Sequence, residues 1–317
     1  MSEKVYFTDL RARSRNTGRP AKVRKLFDAA GFSSLIEKRD LTAVKLHFGE
    51  RGGDAFIHPI FVRQIVEGVI GSGGKPFLTD SNTLYSGSRH NAVDHLVNAI
   101  EHGFDYSVVR APLIIADGLR STDVKWTEIN GKHFGRVRIS SGIAIGCMAC
   151  VEVCPVDAHV VEGGKVRIDK ERCIGCGECL VVCRQEAIDL DWSSEIVPFQ
   201  ERMAEYALGC ASNFDGRVGY MNFVIRVSPE CDCFSWSDYP IVPDVGILAS
   251  RDPVALDRAC YDLVNAQKGF ENSALRGAFE PGEDKFRSMK PEMDPLYTLR
   301  YAEELGLGSM DYEMITV

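Results

Sequence analysis

Seven cysteines fall between Cys147 and Cys183, in two runs that overlay on one another. The second run, Cys173-Ile-Gly-Cys176-Gly-Glu-Cys179-Leu-Val-Val-Cys183, has the C-x2-C-x2-C-x3-C spacing of bacterial iron–sulfur sites. The first, Ala144-Ile-Gly-Cys147-Met-Ala-Cys150-Val-Glu-Val-Cys154-Pro155, has Ala144 where the second has Cys173. Cysteines spaced in this way wrap one loop around a cubane corner, and in two-cluster proteins the fourth thiolate comes from the other run. That crossing gives Cys154, Cys173, Cys176 and Cys179 as the complete ligand set of one 4Fe-4S cluster. Cys147, Cys150 and Cys183 remain as a three-thiolate set. It fits a 3Fe-4S cluster, a 4Fe-4S cluster with one iron open to water or substrate, or no stable cluster. A zinc ribbon on Cys147, Cys150, Cys173 and Cys176 is the competing reading, but it closes with four ligands and leaves Cys154, Cys179 and Cys183 unused. Arg184 stands where a proline often follows the second run. A guanidinium there either raises the cluster's potential or stays solvated.

Around this segment the chain is rich enough in apolar residues, 45% of 317, to bury a sizeable core as one large domain or two ordinary ones. The N-terminal residues have no apolar leader region, and no apolar run reaches the roughly 18 residues of a membrane span. The expectation is a cytoplasmic, soluble protein with no membrane partner. Eleven cysteines without an export signal then point to metal ligation rather than disulfides. A net charge of -8 argues against nucleic acid as a partner.

Before the cysteines the sequence alternates. Strands are expected at Val5 to Phe7, Leu41 to Phe48 and Lys75 to Thr79. Helices are expected from Pro20 to Ala30, closed by Gly31, from Ile60 to Ile70 behind Pro59, and from Ala92 to Ile100 with Val93, Leu96 and Ile100 on one face. This alternation implies parallel β-α-β units. Val124 to Ile129 and Phe134 to Ile139 flank Asn130-Gly131 as a hairpin. Within the cysteine segment, Val160 to Ile168 reads as a hairpin about Gly163-Gly164, and Ala187 to Leu190 as a further strand. After it, helices are expected at Ile196 to Leu208, Pro253 to Val264 and Pro295 to Leu305, with strands at Val218 to Val227 and Ile241 to Leu248. The fold class is therefore α/β: a mixed or parallel-sheet host with an inserted, bacterial-type two-cluster ferredoxin-like α+β domain. The host spans residues 1–143 and 193–317, and the insert residues 144–192. So short an insert has too little apolar surface to fold firmly without metal.

Three further places carry chemistry. Gly49-Glu-Arg-Gly-Gly-Asp54 lies between a strand and a helix and reads either as an anion cradle helped by Lys45, His47 and Arg51 or as a flexible turn with solvated charges. Asp80 and Asn82 lie past the carboxyl end of a strand, where open α/β sheets bind ligands, though capping and turn formation also explain them. With His47 they form the candidate ligand pocket, whereas His90 and His95 are expected at the surface. Cys231 and Cys233 form a soft pair that binds metal jointly only if Pro229 turns the chain, since alternate strand residues face opposite ways. Gly71 to Gly74 is explained by helix capping, and Cys210 and Cys260 by the core.

Several segments together resemble the domain of unknown function 362 family of iron–sulfur proteins. They are Lys45-Leu-His-Phe-Gly-Glu50, Gly74-Lys-Pro-Phe-Leu-Thr-Asp80 with Asn82-Thr-Leu-Tyr85, Asn91-Ala-Val-Asp-His95, Ser228-Pro-Glu-Cys-Asp-Cys233, and Pro243-Asp-Val-Gly-Ile-Leu248 with Asp252-Pro-Val-Ala-Leu256. The resemblance implies an α/β host with an embedded two-cluster ferredoxin, and it implies no particular substrate. Members of that family usually carry a stretch with a His-Phe-Lys-Gly-His-like motif ahead of the first cluster cysteine. Here Ser140-Ser-Gly-Ile-Ala144 runs straight into Ile145-Gly-Cys147, so one internal deletion accounts for both the missing stretch and the missing cysteine. The expected function is one-electron transfer by an iron–sulfur protein with a redox partner or small-molecule substrate. The alternatives are an enzyme using an open cluster iron as a Lewis acid, with Asp80, Asn82, Cys231 or Cys233 nearby, or a binding protein stapled by its cluster.

Overall fold

A computed structural model describes residues 2–84, 87–121, 123, 125, 127, 129, 137–139, 147–173, 177–183, 187–190 and 196–317. Most of the expected Asn130-Gly131 hairpin lies outside the described residues, as do Tyr85, Ala144, Cys176 and Arg184.

The elements in chain order are β1 (Glu3–Asp9), α1 (Arg19–Ala29), β2 (Leu41–Lys45), α2 (Pro59–Gly71), β3 (Lys75–Thr79), α3 (Ala92–Glu101) and α4 (Tyr106–Val109). The cysteine segment follows with β4 (Val137–Ile139), α5 (Ala149–Glu152), β5 (His159–Glu162), β6 (Lys165–Ile168), α6 (Glu178–Val182) and β7 (Ile188–Leu190). The chain ends with α7 (Ile196–Ala211), β8 (Tyr220–Val224), β9 (Gly246–Ser250), α8 (Pro253–Asn265), α9 (Lys285–Met289), α10 (Pro295–Glu304) and β10 (Tyr312–Thr316).

The larger sheet has the order β10-β1-β9-β8, with β1 parallel to β10 and antiparallel to β9, and β8 antiparallel to β9. Strands from both sides of the cysteine segment therefore share one sheet. A second, parallel pair joins β2 to β3, and β3 continues into a parallel bridge between Leu78 and Leu113. The architecture is mixed α/β, and parallel β-α-β connection accounts for only part of it. Strand β9 is buried at every position because helices cover both faces of the sheet there. In the cysteine segment β5 and β6 form the expected hairpin, with Gly163 and Gly164 at φ 57° and 73°, the left-handed pair that a tight two-residue turn needs. β4 pairs antiparallel with β7.

The described host residues pack in four apolar clusters, one of them Ala204, Val254, Tyr301 and Ala302 between α7, α8 and α10. Phe48, Val66, Leu78 and Phe104 fill the space between the β2–β3 pair and the helices α2 and α3. Val5, Leu248 and Leu256 pack the larger sheet against α8. Val23, Phe27, Phe61 and Val69 with Ile247 and Ala249 join the two sheets through α1 and α2. Helix starts follow the sequence signals: Asn91 accepts from the Val93 and Asp94 N–H groups, and Asp252, ahead of Pro253, accepts from the Ala255 N–H at 2.8 Å. On the far side, the Tyr297 and Tyr301 hydroxyls of α10 donate to Glu201 and Glu205 of α7 at 2.7 and 2.8 Å.

The structure corrects several boundaries. β2 stops at Lys45, because Leu46 to Phe48 leave the ladder to enter a loop. Ile241 and Val242 are buried but precede the strand, which runs from Gly246 to Ser250. Of the three apolar residues expected on one face of α3, only Leu96 packs against the core. Val93 and Ile100 point outward, while Ala92, His95, Asn98 and Ala99 are buried. His95 is 0% exposed and His90 is half-buried, so neither is the surface residue expected. Cys210 is exposed rather than in the core, and Cys260 is partly buried against α8's sheet.

Leu248 sits at the centre of the sheet and Leu41 is 78% exposed on β2. Leu248→Ala should lower stability to urea by about 2–5 kcal/mol through the cavity it leaves, and Leu41→Ala should stay within about 0.5 kcal/mol of the parent. Equal losses would contradict this placement of the core.

Candidate functional site

Parallel pairing makes β2 and β3 end side by side, so the loops that follow them, 46–58 and 80–91, emerge together. A third loop, 228–238, lies directly on the first. The glycines of Gly52-Gly53 make this possible: a Cβ at Gly52 would fall 2.4 Å from the Ser235 carbonyl oxygen, and one at Gly53 would fall 2.9 Å from that of Phe234. Backbone N–H groups of the first loop are used inside the protein. Glu50 donates to the Asp232 carbonyl at 3.1 Å, Gly53 to that of Glu50 at 3.0 Å, and Asp54 to Ser237 Oγ at 3.1 Å. The segment is thus neither an anion cradle nor a free turn. Arg51 pairs with Glu101, and Lys45 reaches Asp80 Oδ1 at 3.3 Å.

A buried ion pair clamps the first two loops. Arg89 Nε donates to Glu50 Oε2 at 3.1 Å, with both side chains less than a tenth exposed. The Ser88 N–H and hydroxyl donate to Glu50 Oε1. Burial pushes the Glu50 carboxyl up, but the Ser88 hydrogen bonds and the Arg89 charge outweigh it and hold the group below its usual value.

Next to this clamp, the buried Asp80, Asn82 and His95 form a polar layer with the half-buried Asp117. Asn82 donates through Nδ2 to Asp117 Oδ1 at 3.2 Å and to the Gly118 carbonyl at 2.9 Å. Its orientation is fixed by these bonds, which leave Oδ1 facing His95 Nδ1 at 3.4 Å. His95 therefore carries its proton on Nδ1. Burial lowers the His95 pKa to about 4; Asp80 opposes this and Arg89 and His47 add to it, so the ring is neutral at neutral pH. His95 Nε2 is left as a buried lone pair without a hydrogen-bond partner among the described residues, 4.0 Å from Asp80 Oδ2. Asp80 Oδ1 accepts from the Ser81 N–H at 2.9 Å, and Arg89 Nη1 stands 4.0 Å from Oδ2.

His47 closes the group. Its Nδ1 lies 2.9 Å from the Gly49 nitrogen and 3.0 Å from Asp232 Oδ2. One ring nitrogen cannot accept from the first and donate to the second. Burial pushes the Asp232 carboxyl up, but its contact with His47, with lesser help from Cys231 and Arg89, holds it below its usual value. His47 Nε2 is a second buried ring nitrogen with no hydrogen-bond partner among the described residues. Asp232 lies between Cys231 and Cys233, and the turn that joint action of this pair requires is formed: the Phe234 N–H donates to the Cys231 carbonyl, and the Cys233 N–H donates to Cys231 Sγ at 3.4 Å. Asp80 and Asn82 meet at His95, with His47 close enough to act on the same ring, and Glu50, Arg89, Asp117 and Asp232 surround them. Four acids, Glu50, Asp80, Asp117 and Asp232, face two bases, Lys45 and Arg89.

In the cysteine segment, the buried Ile168, Cys179, Leu180 and Ile188 form a small core against which Cys150, Cys173 and Cys183 pack. Burial pushes the Cys150 thiol up, and its neighbours Cys183 and Cys147 act in the same direction. The Ala158 N–H donates to Cys154 Sγ at 3.2 Å and the Ala187 N–H to Cys183 Sγ at 3.3 Å. The chain around Cys173 is tied to that after Cys154, because the Asp169 N–H donates to the Ala158 carbonyl at 2.7 Å and Arg172 to that of Val156 at 3.1 Å. The segment also touches the host: a Cβ at the buried Gly177 would lie 3.1 Å from Leu84 Cδ1, two residues beyond Asn82. Among the described residues, no group of three or more His, Cys, Asp or Glu side chains stands at metal-holding spacing, and no helix is long and apolar enough to cross a membrane.

A mixed α/β host with a polar site at its loop ends and a cysteine-rich segment between its halves is the class these observations define. The chain belongs to the family described as Domain of unknown function (DUF362), whose model matches residues 42–262 and so includes all three site loops and the cysteine segment. No curated protein and no solved structure matches the chain.

The clamp has a measurable signature. Arg89→Met leaves Glu50 buried and unpaired and should cost about 3–5 kcal/mol in urea denaturation. The double variant Glu50→Leu/Arg89→Met should lose less than the single one. A stable Arg89→Met protein would rule the clamp out.

Proposed function

We propose that the chain is an iron–sulfur redox protein whose cysteine segment is an inserted ferredoxin-like unit that passes single electrons to or from the host domain or a partner. The observation that carries this reading is a repeated local geometry. The last cysteine of each run accepts the backbone N–H of the alanine four residues on, Ala158 for Cys154 and Ala187 for Cys183. A duplicated loop built to point N–H groups at thiolate sulfur suits a metal–sulfur centre, since such bonds stabilise negative charge on the sulfurs. A structural zinc ribbon has no use for this at Cys154 and Cys183.

The ligand sets follow from the spacing and are supported by proximity. Cys154, Cys173, Cys176 and Cys179 would hold a 4Fe-4S cluster, in keeping with the hydrogen bonds that tie the Cys173 segment to the loop after Cys154. Cys147, Cys150 and Cys183 would hold a second, ligand-deficient 3Fe-4S or 4Fe-4S cluster, in keeping with the effect of Cys183 and Cys147 on the Cys150 thiol. When bound, such a cluster accepts and releases one electron at a time. The protein's part is to supply thiolates, to donate N–H groups to them, and to keep water from Cys179, which is buried.

Anaerobic reconstitution with iron and sulfide, followed by electron paramagnetic resonance before and after reduction, tests the assignment. The expected result is reversible one-electron reduction that is lost in Cys154→Ser and in Cys179→Ala but kept in Cys183→Ser. A protein that takes up no inorganic sulfide, or a Cys154→Ser variant that behaves as the parent, would overturn it.

A further inference from the structure

Loop 228–238 carries two thiols, Cys231 and Cys233, that the proposed clusters do not use. We infer that Cys231 and Cys233 are a redox-active dithiol, which closes to an internal disulfide by exchange with a small disulfide of the glutathione class. The inference rests on this host loop alone and stands whether or not the cysteine segment carries a cluster.

Geometry is the first argument. In a strand, residues one apart face opposite ways and their sulfurs stay apart. Here the Phe234 N–H donates to the Cys231 carbonyl at 3.0 Å, which closes a turn over residues 231–234. A turn brings the Cα atoms of its first and fourth residues within about 7 Å, so those of its first and third lie inside the roughly 4.4–6.8 Å that a disulfide spans. The Cys231 side chain folds back over the turn. Its Sγ accepts from the Cys233 N–H at 3.4 Å, and the two thiols are in hydrogen-bond contact. Cys231 is exposed and Cys233 half-buried, so the pair is open to a small reagent. Asp232 between them contacts His47, which puts the pair at the border of the polar layer.

The unequal thiols supply the second argument. Cys231 is pushed up to about 12, first by the protein around it and then by its hydrogen bond with Cys233, so it keeps its proton while both thiols are free. Cys233 is therefore the attacking thiol. Its thiolate attacks one sulfur of the small disulfide, forming a mixed disulfide and expelling one small thiolate. Cys231, released from the Cys233 thiol, then gives up its proton and attacks the Cys233 sulfur, forming the internal disulfide and expelling the second small thiolate. The two expelled thiolates take up the two protons: the pair is oxidised, and the small disulfide is reduced to two thiols. Ring closure is intramolecular, so it outruns attack by a further small thiol. A ring this tight is strained, and strained, exposed disulfides are the ones that small thiols reopen.

Oxidised glutathione is the probe. Full-length, anaerobically reconstituted protein is incubated with it, quenched by alkylation, digested with trypsin and analysed by mass spectrometry. Cleavage after Arg226 and Arg251 gives a peptide, residues 227–251, whose only cysteines are Cys231 and Cys233. The peptide 203–217 contains Cys210 alone, an exposed single thiol that serves as the internal control. Peptide 227–251 should lose two hydrogens and carry no glutathione, while Cys210 takes glutathione up; reduced glutathione should restore both peptides. Cys231→Ser should trap glutathione on Cys233, and Cys233→Ser should react at least about 10-fold more slowly. Stable glutathione adducts on 227–251 in the parent, no reaction there while Cys210 reacts, or a Cys231→Ser variant that traps none would overturn the inference. Both peptides lie outside the cysteine segment, so failure of the cluster assignment leaves these masses unchanged. Ring closure is read on the unaltered protein and decides the matter even if a variant does not fold.

Discussion

The contact between Glu50 and Arg89 joins two loops that have no backbone ladder between them, and it does so out of reach of water. Loops 46–58 and 80–91 leave β2 and β3 side by side, but parallel strands only bring their starting points together. What keeps His47 near Asp80 is the carboxylate of one loop held by the guanidinium and Ser88 of the other. Two ions taken from water cost several kcal/mol each, about what their attraction and hydrogen bonds return. The pair is therefore a poor source of stability and a good source of position, because any arrangement of the loops that parts the two charges leaves one buried alone.

The cysteine segment stands in a different relation to the host. Its helices are four and five residues long and its core is four buried residues, with cysteines around them. So little apolar surface does not offset the entropy of ordering the segment, and the proposed metal–sulfur bonds are the natural remedy. The host does not share this dependence. Its larger sheet pairs β1 with β9 and β10 from opposite sides of the cysteine segment, and four apolar clusters lie in residues on either side of it.

Local signals were legible in the sequence and long-range ones were not. Helix α2, α8 and α10 begin at their prolines, Gly31 closes α1, and the Gly163-Gly164 turn forms as its composition requires. Periodicity failed at α3 for a physical reason. The rule that apolar residues face inward assumes a wholly apolar interior, whereas α3 packs Ala92, Leu96 and Ala99 on the core and also turns His95 and Asn98 into the polar layer, which leaves Val93 and Ile100 outside. The same layer hid the site. His47, Asp80 and Asn82 were visible from their places after strands, but Arg89, Asp117 and Asp232 act through partners 35 or more residues away that no local pattern names. Asp232 did carry a signal, since it separates two cysteines in a turn.

One loop serves both parts of the molecule. Residues 80–91 carry Asp80 and Asn82 at their start, Leu84 in the middle and Arg89 near their end. Leu84 rests on Gly177, whose φ of 81° suits glycine and whose missing side chain lets the two segments approach so closely. Gly177 lies between Cys176 and Cys179 in the second run. The same loop, 80–91, is held at its start by Asp117 through Asn82 and near its end by Glu50 through Arg89. If the proposed cluster is bound, the Leu84 contact makes the redox centre and the polar site neighbours through a single apolar side chain.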